Sequence, residues 1–150
     1  MTSRKPNKNA LPHTVTVWNW TGNETVLNGA KVKEFNKVYV NYARYDKTSM
    51  IADSAIFGNI YLEIYNGVNV VTNAKGEFCK YVEPEVYLNA SDKSRLWTIN
   101  TGDDYLGLGK IFDKNPSFGG ERARKDYVIS ACDEKYGYDG LIHHWEVNGK

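Results

Sequence analysis

The sequence predicts a mainly β protein: a small antiparallel β-barrel or sandwich with long loops, a flexible amino-terminal arm and at most one short helix. Three observations carry that prediction. The 150 residues include 11 Tyr, 5 Phe and 4 Trp, side chains that suit a pleated, half-buried surface. Beside them stand 13 Gly and many Asn, which serve tight turns. Short runs of alternating apolar and polar residues recur between these turn signals, a pattern of sheets closed by hairpins.

Residues 1–13 have no period, contain Pro6 and Pro12, and carry Arg4, Lys5 and Lys8. They are expected to form a flexible arm, with residues 14–150 as a single β domain. Residues 13–20 alternate and are rich in β-branched and aromatic side chains, so they form a half-buried strand, ended by Thr21, Gly22 and Asn23. After Asn28-Gly29 a second extended region runs through Val32 and Phe35 to Tyr42. Residues 43–58 fit neither strict alternation nor an amphipathic helix and are expected to be a loop.

Residues 59–65 resume strand character, and Asn66-Gly67 predicts a two-residue hairpin into residues 68–71. A further turn at residues 73–76 precedes an extended stretch over 78–82. The polar segment 83–95 has room for one short helix, with Ser91 or Asp92 near an end. Residues 96–100 predict a strand with 105–111 as its hairpin partner, where Gly107 and Gly109 signal a bulge or close backbone approach. The excursion 113–125 is too polar for a core. The last strands cover 127–132 and 141–147, joined by a turn over 136–140.

Charge and cysteine content exclude several functions. Lys plus Arg, 19, nearly balances Asp plus Glu, 18, giving a formal net charge of +1; a uniformly basic nucleic-acid coat is excluded. Cys79 and Cys132 are too far apart for a metal knuckle, and a single bridge between them stays open. No run of about 18 apolar residues and no leader-like apolar segment occurs, so the chain is expected to be soluble, made in a cytoplasm and without membrane contact.

No catalytic, cofactor or metal site is expected. His143 and His144 are adjacent and on a strand face opposite sides, which suits structural or surface histidines rather than ligands of one metal. Asp103, Asp104 and Asp113 lack the ligand spacing of a calcium loop and are expected to be turn acids. Neither a G-x-S-x-G nor a Cys/His signature is present, and Cys132 is expected to be a small apolar strand residue. The segment containing Gly119, Gly120, Arg122 and Arg124 lacks the Lys-Ser/Thr ending of a P-loop. It is expected to be a solvated loop with Arg122 and Arg124 as candidate inter-ring, intersubunit or phosphate-backbone contacts. Trp18 and Trp20 share a strand face, which suits the interior or a subunit interface, and Trp145 is a further candidate contact.

Three stretches in order resemble a family of small structural proteins of long-tailed phages, the minor capsid or head-to-tail connector proteins. They are PHTVTVWNW (12–20); VLNGAKVKEF (26–35) followed by IADSAIFGNIYLEI (51–64); and LWTINTGDDYLGLG (96–109) followed by DYVISACDEKYGYDGLIHHWEVNGK (126–150). The closing His-Trp-Glu-Val-Asn-Gly-Lys is the most distinctive element, while the 113–125 excursion is longer than the family pattern.

The resemblance implies a stopper-type head-completion protein without enzymatic activity, located at the neck of the virion. It would form a homo-oligomeric ring below portal and adaptor proteins, close the DNA channel and present a docking surface to the tail terminator or tail tube. Arg44, Asp46, Lys47, Met50 and Ile51 would then belong to a channel loop in transient contact with packaged DNA. Arg4, Lys5 and Lys8 would reach a neighbouring ring. A tail terminator or other neck ring protein is one alternative. A monomeric carbohydrate- or receptor-binding β domain is the alternative from another class.

Overall fold

The computed structural model describes residues 4–47, 60–119 and 124–150. Two long strands dominate it, β1 (His13–Leu27) and β2 (Ala30–Lys47). They are joined by Asn28 at φ 53° and Gly29 at φ 82°, the two positive values that a two-residue turn of this twist requires. β1 therefore does not end at residues 21–23 as expected. Those turn-forming residues are absorbed in an irregularity: the register slips between Trp20 and Glu24, with Gly22 at φ 91°, and pairing resumes at Glu24↔Lys33.

The remaining strands are β3 (Ile60–Tyr65), β4 (Val70–Asn73), β5 (Lys80–Tyr81), β6 (Leu96–Trp97), β7 (Tyr105–Leu108), β8 (Tyr127–Tyr136) and β9 (Ile142–Gly149), with one short helix, α1 (Pro84–Asn89). The fold is mainly β, as expected. Seven strands form one antiparallel sheet in the order β1-β7-β8-β9-β3-β2-β4, and the β1–β2 pairing returns the circuit to its start. It is not a regular barrel. β7 and β8 share only Tyr105↔Val128 and Leu106↔Tyr127, and the far side of β2 is divided between β4 at Val38 to Asn41 and β3 at Arg44 to Lys47. The change of partner falls at Tyr42, whose φ is 60°.

Three expectations about pairing are corrected. Residues 43–47 are strand, because β3 offers an edge to them; the rest of the expected 43–58 loop, from residue 48, lies outside the described residues. Asn66-Gly67 does make a turn, with Val68 N–H donating to Tyr65 O at 3.1 Å, but no hairpin follows. β3 already pairs with β2 on one side and β9 on the other, so β4 takes the open edge of β2. Residues 96–100 likewise do not pair with 105–111: β6 runs parallel to β5 through Lys80↔Leu96, and β7 lies between β1 and β8. The expected close approach occurs at Gly107, where a Cβ would stand 2.4 Å from Ile111 Cδ1 and 3.0 Å from a ring carbon of Trp18.

The inward faces of these strands make the core, including Val15, Val17, Ile60, Leu62, Ile64 and Val147, with Trp97 and Trp145 meeting at 5.5 Å between ring centroids. Each buried aliphatic side chain contributes about 1.5–3 kcal/mol relative to an exposed one. Trp18 lies on the other face of β1, fully buried. It is covered by the 109–126 excursion, where its indole N–H donates to Asp113 O at 3.3 Å and the Arg124 guanidinium lies 5.8 Å from the ring centroid. The polar excursion therefore caps core-like surface, and Ile111 and Asp126 within it are buried. The end of the expected arm is folded too. Asn7 caps a 3-10 turn (Lys8–Ala10) and Leu11 is buried.

Candidate functional site

Beyond Trp20 and Phe35 the β1–β2 hairpin becomes a two-stranded ribbon whose pairs are Glu24↔Lys33, Thr25↔Val32, Val26↔Lys31 and Leu27↔Ala30. Among the described residues no third strand flanks it. β7 covers β1 only from Val15 to Trp18, and β4 covers β2 only from Val38 to Asn41. Both long edges thus present unpaired backbone donors and acceptors, the groups that other chains pair with most readily. Its tip is apolar: Val26 is 72% exposed and Leu27 60%. The root is fixed. Trp20 N–H of the indole donates to Asn23 O at 3.0 Å, and Lys33 lies 5.0 Å from the Trp20 ring centroid while its Nζ pairs with Asp103 at 3.1 Å.

The predicted contact residues are placed very unevenly. Arg44, Asp46 and Lys47 stand exposed at the end of β2, with Arg44 and Asp46 3.9 Å apart. Met50, Ile51 and Arg122 lie outside the described residues. Arg4, Lys5 and Lys8 are exposed, and Lys8 Nζ lies 5.0 Å from the Tyr42 ring centroid. Trp18 and Trp145, by contrast, are buried within their own subunit; strand alternation places Trp145 in the core, and the excursion covers Trp18. Trp18 thus takes the interior alternative, and neither is available to a neighbour, which corrects Trp18 and Trp145 as candidate contacts. Only Trp20 of the three stays partly accessible.

Arg124 is partly exposed and already engaged within its own chain. Its Nε donates to both Asp126 carboxylate oxygens, at 2.8 and 3.1 Å, and its Nη1 reaches Asp113 at 2.7 Å. The Asp126 and Asp113 hydrogen bonds hold the guanidinium further above its ordinary range. This fork ties the two ends of the excursion to each other.

The aspartates do not converge. Asp103 pairs with Lys33 and Asp113 with Arg124. Asp104 is buried and accepts from Trp20 N–H at 2.8 Å, Asn100 N–H at 2.9 Å and the Asn19 amide at 2.7 Å. Burial pushes its carboxyl up to about 7, while these donors act in the opposite direction. Among the described residues no group of three His, Cys, Asp or Glu is placed to hold a metal ion.

The two histidines differ from expectation in one respect. His143 Nδ1 and His144 Nδ1 approach to 2.8 Å, because the β8 partner slips register between Lys135 and Tyr136 and the backbone twists there. His144 also stacks on Tyr65 at 4.9 Å and its Nε2 contacts Glu146 at 3.0 Å.

One constellation escaped the sequence. Glu83, just ahead of α1, and Glu134 on β8 share a hydrogen bond, and the Tyr81 and Tyr136 hydroxyls donate to Glu134 at 3.1 and 2.8 Å. The bond to Glu134 raises the Glu83 carboxyl to about 7, and the reciprocal bond lowers Glu134. Two carboxylates this close hold a single proton in common. The neighbouring Cys132 thiol is pushed up to about 12 by burial, so it is protonated and unreactive at neutral pH. Cys79 and Cys132 are both free. Only the folded pairing of distant segments unites the glutamates. The ribbon had a local signal, the Asn28-Gly29 pair preceded by Val26 and Leu27.

Comparison of this chain with known protein families, curated proteins and solved structures finds no match in any of the three.

Proposed function

We propose that this chain is a structural component of a phage particle, a head-to-tail connector of the stopper type that works by assembly rather than catalysis. The structural observation that supports this reading is the β1–β2 ribbon, with its open edges and exposed Val26 and Leu27. A subunit in a ring must offer unlike surfaces to its two neighbours and to the rings above and below. An apolar-tipped β-ribbon on a well-packed body suits such a contact, since it adds backbone pairing to hydrophobic burial. The motif resemblance in the first and last strands supports the phage assignment.

Cross-linking mass spectrometry of intact tailed particles tests the proposal. The expected result is cross-links from the ribbon lysines Lys31 and Lys33 to a portal-proximal or tail protein or to a second copy of the chain. Absence of the chain from purified particles, or a monomeric chain that retains a glycan, would overturn it.

A further inference from the structure

A groove set apart from the ribbon tip gathers five cationic side chains. It is lined by Lys37, Lys75, Lys93, Arg95 and Lys114, with Glu77 as its acidic member. The chain is near neutral overall, so this is a local surplus and not a consequence of composition. Among the described residues none of these five cations lies in an ion pair with a carboxylate.

The walls are built in place by bonds that leave cationic charge unneutralised. The Asn73 amide donates to Ser94 O at 2.9 Å and to Glu77 Oε1 at 3.0 Å, while its carbonyl accepts from Lys75 N–H and Glu77 N–H. That one side chain fastens the 73–76 turn to the 93–95 segment. Arg95 Nε donates to Phe78 O at 2.9 Å, and Lys37 Nζ to Asp113 O at 3.2 Å. Lys93 Nζ donates to Ala90 O at 2.6 Å and lies 5.7 Å from the Tyr87 ring centroid. Lys37 Nζ lies 5.3 Å from that of Tyr39, so these cations are held by carbonyls and ring faces and not by carboxylates.

We propose that this groove binds the phosphodiester backbone of duplex DNA without reading its bases. Several cations that line one groove without carboxylate partners are the electrostatic footprint of phosphate contact. A stacking platform for single strands would need a succession of free rings. Of the two aromatic residues in the lining, Phe35 is engaged edge-on by Tyr105 at 5.8 Å and Phe112 by Tyr39 at 6.5 Å. This inference does not depend on the connector proposal, because it concerns different residues.

Fluorescence anisotropy with a labelled duplex of about 20 base pairs tests it, at roughly 50 to 200 mM salt. The expected result is sequence-independent binding whose logarithmic salt slope is about −4, for four to five phosphate contacts. The double variant Lys75→Glu/Lys114→Glu changes two exposed side chains, so its melting curve should match the parent. It should bind roughly tenfold or more weakly, with the slope reduced by about two. Lys31→Glu, at the ribbon tip, should leave affinity unchanged. No duplex binding at the lowest salt, or equal binding by the double variant, would overturn the proposal. So would preference for a single strand over the duplex. Loss of self-association in the double variant without duplex binding would assign the groove to a contact between copies instead.

Discussion

The two halves of the β1–β2 hairpin share one backbone ladder and live in different environments. From Val15 to Asn19 every residue of β1 is buried, with the core on one face and the 109–126 excursion on the other. From Gly22 to Val32 every residue is exposed. The slip between Trp20 and Glu24 divides them. Backbone pairing alone therefore does not account for the long hairpin, since a ribbon of two strands is marginal in water without a packed face. The proximal half stabilises the body, and the distal half presents surface for which the body has no use.

Truncation in the two halves should separate stability from association. The largest effect is expected in the core: Leu62→Ala should cost about 2–5 kcal/mol, through lost burial and the cavity left behind. Chemical denaturation reads this directly. Asp104→Ala should cost about 1–3 kcal/mol, since it strands the Trp20 and Asn100 N–H groups and the Asn19 amide that the carboxylate accepts. Gly107→Ala should cost about 1–3 kcal/mol by overpacking, because its Cβ would fall 2.6 Å from Asp126 Oδ1 as well as against Ile111. The same denaturation curves measure both.

A smaller effect is expected from the shared proton at Glu83 and Glu134. In the folded chain Glu83 titrates at about 7, above its ordinary value of 4.5. As pH rises between those values the unfolded chain loses a proton that the folded chain keeps, so this group's stabilising contribution, fully present below 4.5, is lost by about 7. Glu134, shifted downward, contributes in the opposite sense at lower pH. Glu83→Gln should therefore melt progressively higher relative to the parent as pH rises through that window. A constant difference in melting temperature across pH would contradict the shared proton.

The difference between the hairpin halves also marks what local sequence carries. The alternation over 13–20, the strand character of β3, β8 and β9, and the turns at Asn28-Gly29 and Asn73 to Gly76 are all local, and all were legible. Choice of partner was not. Asn66-Gly67 has the composition of a hairpin turn, yet β3 was already paired on both edges. Thr21, Gly22 and Asn23 have the composition of a strand end, yet a bulge accommodates them, and ending the strand there concealed the ribbon. Trp18 and Trp145 were legible as strand residues, but the choice between interior and interface was not, because the cover over Trp18 comes from residues about a hundred positions later. Arg124 looked solvated for a similar reason, since Asp126 and Asp113 acquire their meaning only when the excursion folds back. The groove and the glutamate pair are assembled from segments that only tertiary pairing brings together.

The central claim is that the distal ribbon serves contact between proteins and not the stability of its own chain. The most direct measurement is the yield of tailed, DNA-filled particles from a genome encoding Val26→Ser/Leu27→Ser, set beside the melting temperature of the purified variant. Both residues are largely exposed, so stability should stay within about 0.5 kcal/mol of the parent. The account predicts that particle yield falls roughly tenfold or more, as expected when apolar anchors of an interface are lost. Parental yield from the folded double variant would contradict it.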